Sequence, residues 1–326
     1  MPDTAQNDRP LLEVKGLKKY FPVRGALGTT VQEVKAVNDV TFTLKRGETF
    51  GMVGESGCGK STLGRTILRL TEPTEGQAIY DGRDVFDMTD AQLKAARQDM
   101  QMVFQDPFSS LNPRKRIGAI LEEPLVIHGI GTAQERTEKV LDILTRVGLQ
   151  AEHYYRYPHE FSGGQRQRIG IARALMVDPR LIVCDEPVSA LDVSIHSQII
   201  NLLKQLQAEF GLTYLFIAHD ISIVRYISDR IGVMYLGQMV EQAATDDLFA
   251  APKHTHTQAL LSAVPVTQPG ARKERVVLGG EIPSPLDPPS GCVFHTRCPM
   301  ATELCKQKAP ARREITEGHH VACHLY

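Results

Sequence analysis

The chain has 326 residues, of which 42% are hydrophobic and 23% charged, a composition typical of a globular protein long enough for more than one domain. Its formal net charge of −1 excludes a global positive field that would draw the chain onto nucleic acid or anionic lipid. The first segment, "MPDTAQNDRP", lacks the apolar core of a signal peptide, and no stretch approaches the roughly 18 consecutive apolar residues of a membrane span. We therefore expect a reducing compartment and, if the chain works at a membrane, docking onto other proteins.

Short apolar segments indicate a β-layer in the first part of the chain. Strands are expected near residues 12–15, 40–44 and 77–80, and the second of these, "VTFTL", alternates strictly between apolar and polar side chains. This alternation favours an antiparallel layer beside a parallel, buried sheet.

A glycine-rich loop follows the apolar segment "ETFGMV" at residues 48–53 and precedes an apolar-periodic helix. The loop, "GESGCGKST", has the G-x-x-x-x-G-K-[ST] spacing of a Walker A phosphate-binding loop. Its glycines let backbone N–H groups surround phosphate oxygens, and the helix N-terminus adds partial positive charge. Lys60 is expected to reach the β- and γ-phosphates and Ser61 to bind Mg²⁺, whereas Cys58 is interpreted as a filler rather than a redox group. The predicted nucleotide contacts are Gly54, Glu55, Ser56, Gly57, Cys58, Gly59, Lys60, Ser61 and Thr62.

A second candidate phosphate-site element is "LIVCDEP" at residues 181–187, which reads as a buried strand followed by two carboxylates. Asp185 is expected to hold Mg²⁺ through water, as a Walker B aspartate does. Glu186 lies one residue further and can accept a proton from an attacking water. The alternative is a strand with an acidic turn, which the Walker A loop makes less favourable. Cys184 is interpreted as a small buried apolar residue.

Between these two motifs lies "FSGGQRQRIGIARAL" at residues 161–175, a short glycine-containing turn at the start of an apolar-periodic helix. It reads as a second phosphate cradle. One chain that binds one ATP needs only one cradle, so the second predicts a dimer in which each chain closes over the γ-phosphate held by the other.

These motifs, in this order, resemble the ATP-binding cassette (ABC) family, whose signature is [L/F]SGGQ. The resemblance implies an α/β fold: a P-loop, RecA-like ABC nucleotide-binding domain with an antiparallel β subdomain and a helical subdomain at about residues 106–160, broken at Pro158. It also implies ATP and Mg²⁺ as cofactors. The signature residues that would contact the partner's nucleotide are Ser162, Gly163, Gly164 and Gln165.

Further roles follow from the same resemblance. Phe21 matches the aromatic residue that stacks on adenine, with Tyr20 as the alternative. Gln105 in "VFQDP" matches the Q-loop glutamine, which contacts Mg²⁺ or the attacking water. Asp192 in "SALD" matches the D-loop residue that crosses the dimer interface. His219 in "FIAHD" matches the switch histidine that contacts the γ-phosphate, and with Glu186 and Gln105 it completes the predicted catalytic group.

Longer segments, among them "SLNPRKRIG", "DEPVSALDVS" and "TQALLSAVP", resemble the ATP-binding subunits of dipeptide and oligopeptide permeases, those of dipeptide permeases most of all. The likeness runs from about residue 11 to residue 324. "MYLGQMVE" at residues 234–241 is expected to close the core with a strand and a turn. One departure is "HTHT" at residues 254–257, where the family has His-Pro-Tyr-Thr, and it leaves the start of the last helix open.

The permease resemblance implies a heteromeric importer on the cytoplasmic face of the inner membrane. Its partners would be a second, homologous ATPase chain, two membrane permease subunits and an extracytoplasmic peptide-binding protein, with no nucleic acid. Dipeptides are the expected cargo, and oligopeptides, glutathione, nickel chelates and haem precursors remain alternatives. A nucleic-acid-associated ABC ATPase is the alternative from another class, but it would require a second cassette or a long insertion. A simple P-loop kinase is contradicted by the FSGGQ segment.

The end of the chain combines a proline-rich arm with a group of cysteines. The expected domains are the cassette at 11–255, a helix and arm at 256–290, and a cysteine-containing domain at 291–326, which is too small and polar to bury its own core. Its cysteines lack the C-x₂₋₄-C pairs of structural zinc sites, whereas [4Fe–4S] clusters accept wider spacings. The spacing alone leaves three alternatives open: a zinc site that also uses histidine ligands, an iron–sulfur cluster, or thiols that bind no metal. The family resemblance favours the [4Fe–4S] cluster. The candidate ligands are Cys292, Cys298, Cys305 and Cys323, with His295, His319, His320 and His324 available for zinc.

Overall fold

The computed structural model of the protein describes residues 9–24, 30–264 and 278–326. The arm prolines Pro265 and Pro269 lie outside these ranges. The strands are β1 (Leu12–Arg24), β2 (Thr30–Leu44), β3 (Thr49–Gly54), β4 (Glu75–Tyr80), β5 (Arg83–Asp84), β6 (Met100–Val103), β7 (Leu181–Asp185), β8 (Thr213–Ile217), β9 (Arg230–Tyr235), β10 (Gln238–Ala244), β11 (Arg313–Thr316) and β12 (His319–Val321). The α-helices are α1 (Lys60–Ile67), α2 (Asp90–Asp99), α3 (Pro107–Ser110), α4 (Ile117–His128), α5 (Ala133–Arg146), α6 (Gly163–Leu175), α7 (Val193–Phe210), α8 (Ile221–Ile227), α9 (Thr245–Ala250), α10 (Thr255–Ser262) and α11 (Glu303–Gln307).

Two compact units make up the chain. The P-loop unit contains Met1–Lys45, Thr49–Phe86 and Ala218–Tyr326, and the helical unit contains Arg46–Glu48 and Asp87–Ile217. In the ranges that the structure describes, no helix is long and apolar enough to cross a membrane.

The P-loop unit contains the predicted antiparallel layer, with strand order β2-β1-β4-β5. The alternation of "VTFTL" buries one face of β2: Val40, Phe42 and Leu44 are at most 1% exposed. The strands expected near residues 12–15, 40–44 and 77–80 are confirmed but longer, because β1 and β2 continue as a two-stranded ribbon to Arg24 and Thr30.

A second sheet in the same unit carries the Walker A loop. Its strands lie in the order β11-β12-β10-β9-β3, with β3 parallel to β9 and the others antiparallel. The segment 234–241, expected to be a strand and a turn, is the hairpin between β9 and β10. Leu236 and Gly237 form its turn, with φ of 43° and 78°, respectively.

The helical unit holds three parallel strands and the helices between them. β7 pairs with β6 on one side and β8 on the other, and all five of its residues are buried, as its continuous apolar sequence predicts. α5 begins with a capping box between Thr132 and Glu135 and buries Val140, Ile143 and Leu144 on one face. The break predicted at Pro158 is a one-turn 3₁₀ helix, Pro158–Glu160.

The tail, residues 291–326, packs against the strands and helices of the same P-loop unit. β12 pairs with β10, and Phe294, only 1% exposed, contacts the rings of Tyr235, His254 and His256 at centroid distances of 5.1, 5.4 and 5.3 Å. Mainly because they are buried, His254 and His256 each have their pKa lowered to about 3, so both are neutral at neutral pH. The start of the helix that the "HTHT" segment left open is at Thr255: the His254 side chain accepts a hydrogen bond from the His256 N–H and caps α10.

Candidate functional site

The Walker A loop joins β3 to α1 in the P-loop unit. Gly54, Gly57 and Gly59 have φ of 157°, 77° and 101°, backbone conformations that residues other than glycine rarely adopt. A Cβ on Gly59 would also lie 1.9 Å from the carbonyl oxygen of Ala36. Glycine is therefore required at this position both for the backbone conformation and for the close approach of β2.

Lys60 is folded into this loop. Its side chain is 4% exposed, and Nζ donates to the carbonyl oxygens of Gly54 at 2.8 Å and Glu55 at 3.0 Å. Cys58 is buried nearby, with Sγ 3.7 Å from Nζ, and burial raises the pKa of its thiol despite the lysine charge. A protonated, buried thiol suits the role of filler rather than that of a redox group. The lysine ammonium therefore lies against the backbone of the loop.

The P-loop unit also contains the aromatic candidates and the switch histidine. Phe21 is 39% exposed, with Lys19 Nζ 4.7 Å from its ring centroid. The alternative, Tyr20, donates its hydroxyl to Asn38 Oδ1 at 2.6 Å, which leaves Phe21 with the more accessible ring. His219 is exposed, and the adjacent Ala218 N–H donates to the Met52 carbonyl of β3 at 3.1 Å.

The helical unit brings Gln105 and Glu186 together. Asp185, at the end of β7, is fully buried, and Glu186 follows with φ of 45°, an uncommon conformation for a non-glycine residue. Gln105 Nε2 donates to Glu186 Oε2 at 2.8 Å. The sequence identifies both residues but not this bond, since they are 81 positions apart. The Q-loop amide holds the predicted proton acceptor directly.

The signature segment begins α6 in the helical unit. Ser162 Oγ accepts from the Gln165 N–H at 3.4 Å, and Gln165 Oε1 accepts from the Ser162 N–H at 3.1 Å, which forms a capping box. A Cβ on Gly164 would lie 2.8 Å from Cγ2 of Ile195 on α7. Gly164 therefore has a packing role that sequence reasoning missed. Asp192, the D-loop residue, occupies the N-cap position of α7.

Each unit thus contributes a separate set of the predicted residues. The P-loop unit contains Phe21, the Walker A loop and His219, and the helical unit contains Gln105, Asp185, Glu186 and the signature segment. The predicted magnesium ligands, Ser61, Gln105 and Asp185, supply hydroxyl, amide and carboxylate oxygens, the hard donors that Mg²⁺ prefers.

The four tail cysteines are free thiols. Burial, above all, raises the pKa of Cys292 to about 11, and the charges of Cys305, Cys323 and Cys298 raise it further, so the four interact electrostatically. Even so, within residues 9–24, 30–264 and 278–326, no group of three or more His, Cys, Asp or Glu side chains is placed to hold a metal ion. The predicted cysteine-ligated domain is therefore not supported by this geometry.

Three of the four histidines offered as zinc ligands have other partners. His319 Nε2 lies 2.7 Å from Glu241 Oε1 in a fully buried pair, and His324 Nε2 lies 2.7 Å from the Lys308 carbonyl oxygen. His295 Nδ1 lies 2.9 Å from the carbonyl oxygen of Cys292. These contacts fix the positions of three of the tail histidines.

Comparison with known proteins identifies the family. Residues 37–189 match the ABC transporter family, and residues 240–305 match the C-terminal region of oligopeptide/dipeptide transporters. The chain is 58% identical to the oligopeptide transport ATP-binding protein AppF of Bacillus subtilis and 52% identical to the dipeptide transport ATP-binding protein DppF of Haemophilus influenzae, with 99% of each chain covered in both cases.

A solved structure agrees with this assignment. The ATP-binding cassette MJ0796, in a dimeric post-hydrolysis state with ADP and Pi, superposes with a TM-score of 0.64 and 31% identity, covering 72% of this chain and 98% of that one. The predicted α/β cassette fold is confirmed. The chain belongs to the ABC transporter family and, within it, to the ATP-binding proteins of oligopeptide and dipeptide transporters.

Proposed function

We propose that this chain hydrolyses ATP to drive the import of dipeptides or other short peptides through separate membrane subunits. The observation that carries the proposal is the near-complete alignment, at 52–58% identity, with ATP-binding proteins named for oligopeptide and dipeptide transport. The match at residues 240–305 supports it, because the matched family is the C-terminal region of oligopeptide/dipeptide transporters. Dipeptides remain the first choice of cargo.

In the proposed reaction, water attacks the γ-phosphorus, the bond to the bridging β–γ oxygen breaks, and Glu186 accepts the proton of the attacking water. Gln105 orients the Glu186 carboxylate through the 2.8 Å bond. Lys60 and the Walker A N–H groups bind the phosphates, Phe21 stacks on adenine and His219 contacts the γ-phosphate. Mg²⁺, held by Ser61, Gln105 and Asp185, would neutralise charge on the phosphate oxygens.

The second half of the proposal concerns assembly. The exposed signature segment would close over the nucleotide of a homologous ATPase chain, so each nucleotide contacts residues of two chains. This chain would bind the two membrane permease subunits at the cytoplasmic face of the membrane. A peptide-binding protein would deliver cargo to those subunits from the other side. We retain 11–255, 256–290 and 291–326 as the proposed domain boundaries.

Uptake by the purified transporter tests this function. The full chain would be tagged, purified from native membranes in mild detergent and examined by intact-complex mass spectrometry, which should show a second ATPase and two membrane subunits. Liposomes containing the complex should accumulate labelled dialanine only with ATP, and Lys60→Ala should abolish this uptake. Equal uptake with and without ATP would contradict the proposal, and ATP-dependent uptake only of glutathione, a nickel chelate or a haem precursor would correct the cargo.

We also propose a [4Fe–4S] cluster on Cys292, Cys298, Cys305 and Cys323, supported by the family resemblance and by the 2.7 Å hydrogen bond from the Cys292 N–H to the Cys305 carbonyl oxygen. Protein purified without oxygen should be brown and contain about four irons per chain with negligible zinc. Cys298→Ser should remove the colour and increase protease cleavage within residues 291–326, because ligand binding contributes to folding of the tail.

Cys184→Ala is the matched control for this change. Cys184 is fully buried in β7 and outside the tail, so its replacement should leave iron content unchanged. If protein purified without oxygen is colourless and contains one tightly bound zinc, the result would contradict the cluster and indicate a zinc site.

A further inference from the structure

An ion pair connects the tail to the Walker A loop. Arg297 Nη1 donates to both carboxylate oxygens of Glu55, at 3.0 and 2.8 Å, although the residues are 242 positions apart. The two side chains are only 10% and 20% exposed. The short N–O distances and the low exposure are those of a charge-assisted hydrogen bond.

The tail holds Arg297 in a fixed position. The Arg297 N–H donates to the Phe294 carbonyl at 3.0 Å, and the Phe294 ring is buried against Tyr235 and His256. The Arg297 guanidinium lies 5.9 Å from the Tyr235 ring centroid. These contacts place the cation on a turn whose anchor is part of the buried core.

Glu55 is tied to Lys60 as well as to the tail. Its carbonyl oxygen accepts from Lys60 Nζ at 3.0 Å, and its carboxylate accepts from Arg297. The far end of the loop has a different anchor, because the Gly237 N–H donates to the Cys58 carbonyl at 3.0 Å. The β9–β10 turn thus secures one end of the loop and the tail secures the other.

A carboxylate in a phosphate-binding loop presents an electrostatic problem. Its negative charge repels the phosphates that the loop has to bind, and the repulsion acts over several ångströms near a protein surface. Arg297 directly neutralises this charge. Without it, the Glu55 carboxylate would be an uncompensated charge in the phosphate-binding loop.

We propose that Arg297 is a positioning residue of the ATP site, which neutralises and holds Glu55 so that the Walker A loop binds the triphosphate. The inference rests on the proposed function only in that this loop binds ATP. It gives the tail a role in nucleotide affinity whether or not the cysteines hold a metal.

Reciprocal coupling follows from the pair. If Arg297 strengthens ATP binding, then ATP strengthens the docking of the tail by the same factor. Saturating ATP should therefore slow proteolysis within residues 291–326 of the wild-type chain. The same protection should be absent in Arg297→Met.

The ATP dissociation constant of the full chain, measured by calorimetry, tests the proposal. Arg297→Met should raise it about 10-fold, the order expected of one uncompensated charge acting over about 10 Å. The rise should be larger for ATP than for ADP, which carries less charge, and should shrink as salt increases. Arg297→Lys, which keeps the charge, should remain within about threefold of wild type.

Replacing the Glu55 carboxylate distinguishes two effects of Arg297, neutralising the charge of Glu55 and holding the loop in place. The double variant Glu55→Gln, Arg297→Met should recover most of the ATP affinity lost in Arg297→Met, and Glu55→Gln alone should bind ATP more tightly than Arg297→Met does. Arg313→Met is the matched control, because Arg313 lies in the same tail and donates to the Tyr326 carbonyl. Its ATP affinity should be that of wild type.

Several results would overturn the inference. They are an ATP affinity of Arg297→Met within twofold of wild type, a double variant as weak as the single one, or a Glu55→Gln protein as weak as Arg297→Met. If Arg297→Met does not fold, Arg297→Gln takes its place in each of these comparisons. A wild-type chain that binds no ATP would instead contradict the proposed function.

Discussion

Glu186→Gln is expected to lower ATP turnover by roughly 10²–10⁴-fold, the usual contribution of a general base, while ATP remains bound. The amide has the size of the carboxylate but takes up no proton from the attacking water. Its oxygen can still accept from Gln105 Nε2, which bonds Glu186 at 2.8 Å in the wild type. The change therefore removes the basic group and preserves the local geometry.

Turnover of the assembled complex and ATP binding should be measured on the same preparation. ATP should hold the two ATPase chains together in the variant, because hydrolysis no longer releases them. Glu138→Gln, an exposed change on α5, should have ordinary turnover. Near-normal turnover in Glu186→Gln would remove Glu186 from the role of general base.

The second large effect is expected from Gly163→Asp in the signature segment. Gly163 is the first residue of α6, has no positive φ, and a Cβ there would lie 3.2 Å from Cδ2 of Leu191. The backbone can therefore accept a side chain after a small shift of Leu191. In the dimer, the new carboxylate would face the γ-phosphate held by the partner chain. We expect turnover at that opposite site to fall by roughly 10²-fold or more, as when a donor to a developing anion is lost.

The isolated variant should bind ATP normally, because Gly163 lies outside its own Walker A loop. Gly163→Ala is the matched control, since it meets Leu191 in the same way without a charge, and it should lose much less activity. Loss of ATP binding by the isolated Gly163→Asp chain would argue against a shared site.

Local sequence was sufficient for elements whose geometry is set by neighbouring residues. The Walker A glycines, the buried strand ending at Asp185 and the helix after Ser162 were all predicted, because their signals are spacing and periodicity within about fifteen residues. The contact between Gln105 and Glu186 was not, since it depends on two loops that the parallel strands β6 and β7 bring to one edge.

The tail illustrates the same limit more strongly. Its short, polar strands carry little periodic signal, so the pairing of β12 with β10 was not predicted. The cysteine pattern predicted a metal site, whereas the tail contacts that the structure describes are those of Phe294 with three aromatic rings and of Arg297 with Glu55. A single arginine beside a cysteine has no local signature of a partner 242 residues away.

The capping box of α6 has a consequence for how Ser162 can act on a nucleotide. A hydroxyl offers one donor and two acceptors, and the cap occupies the oxygen as an acceptor from the Gln165 N–H. The hydroxyl hydrogen is thereby left to donate, which is the role that an anionic phosphate oxygen demands. The bonds that begin the helix thus leave the Ser162 hydroxyl hydrogen free to donate before any nucleotide arrives.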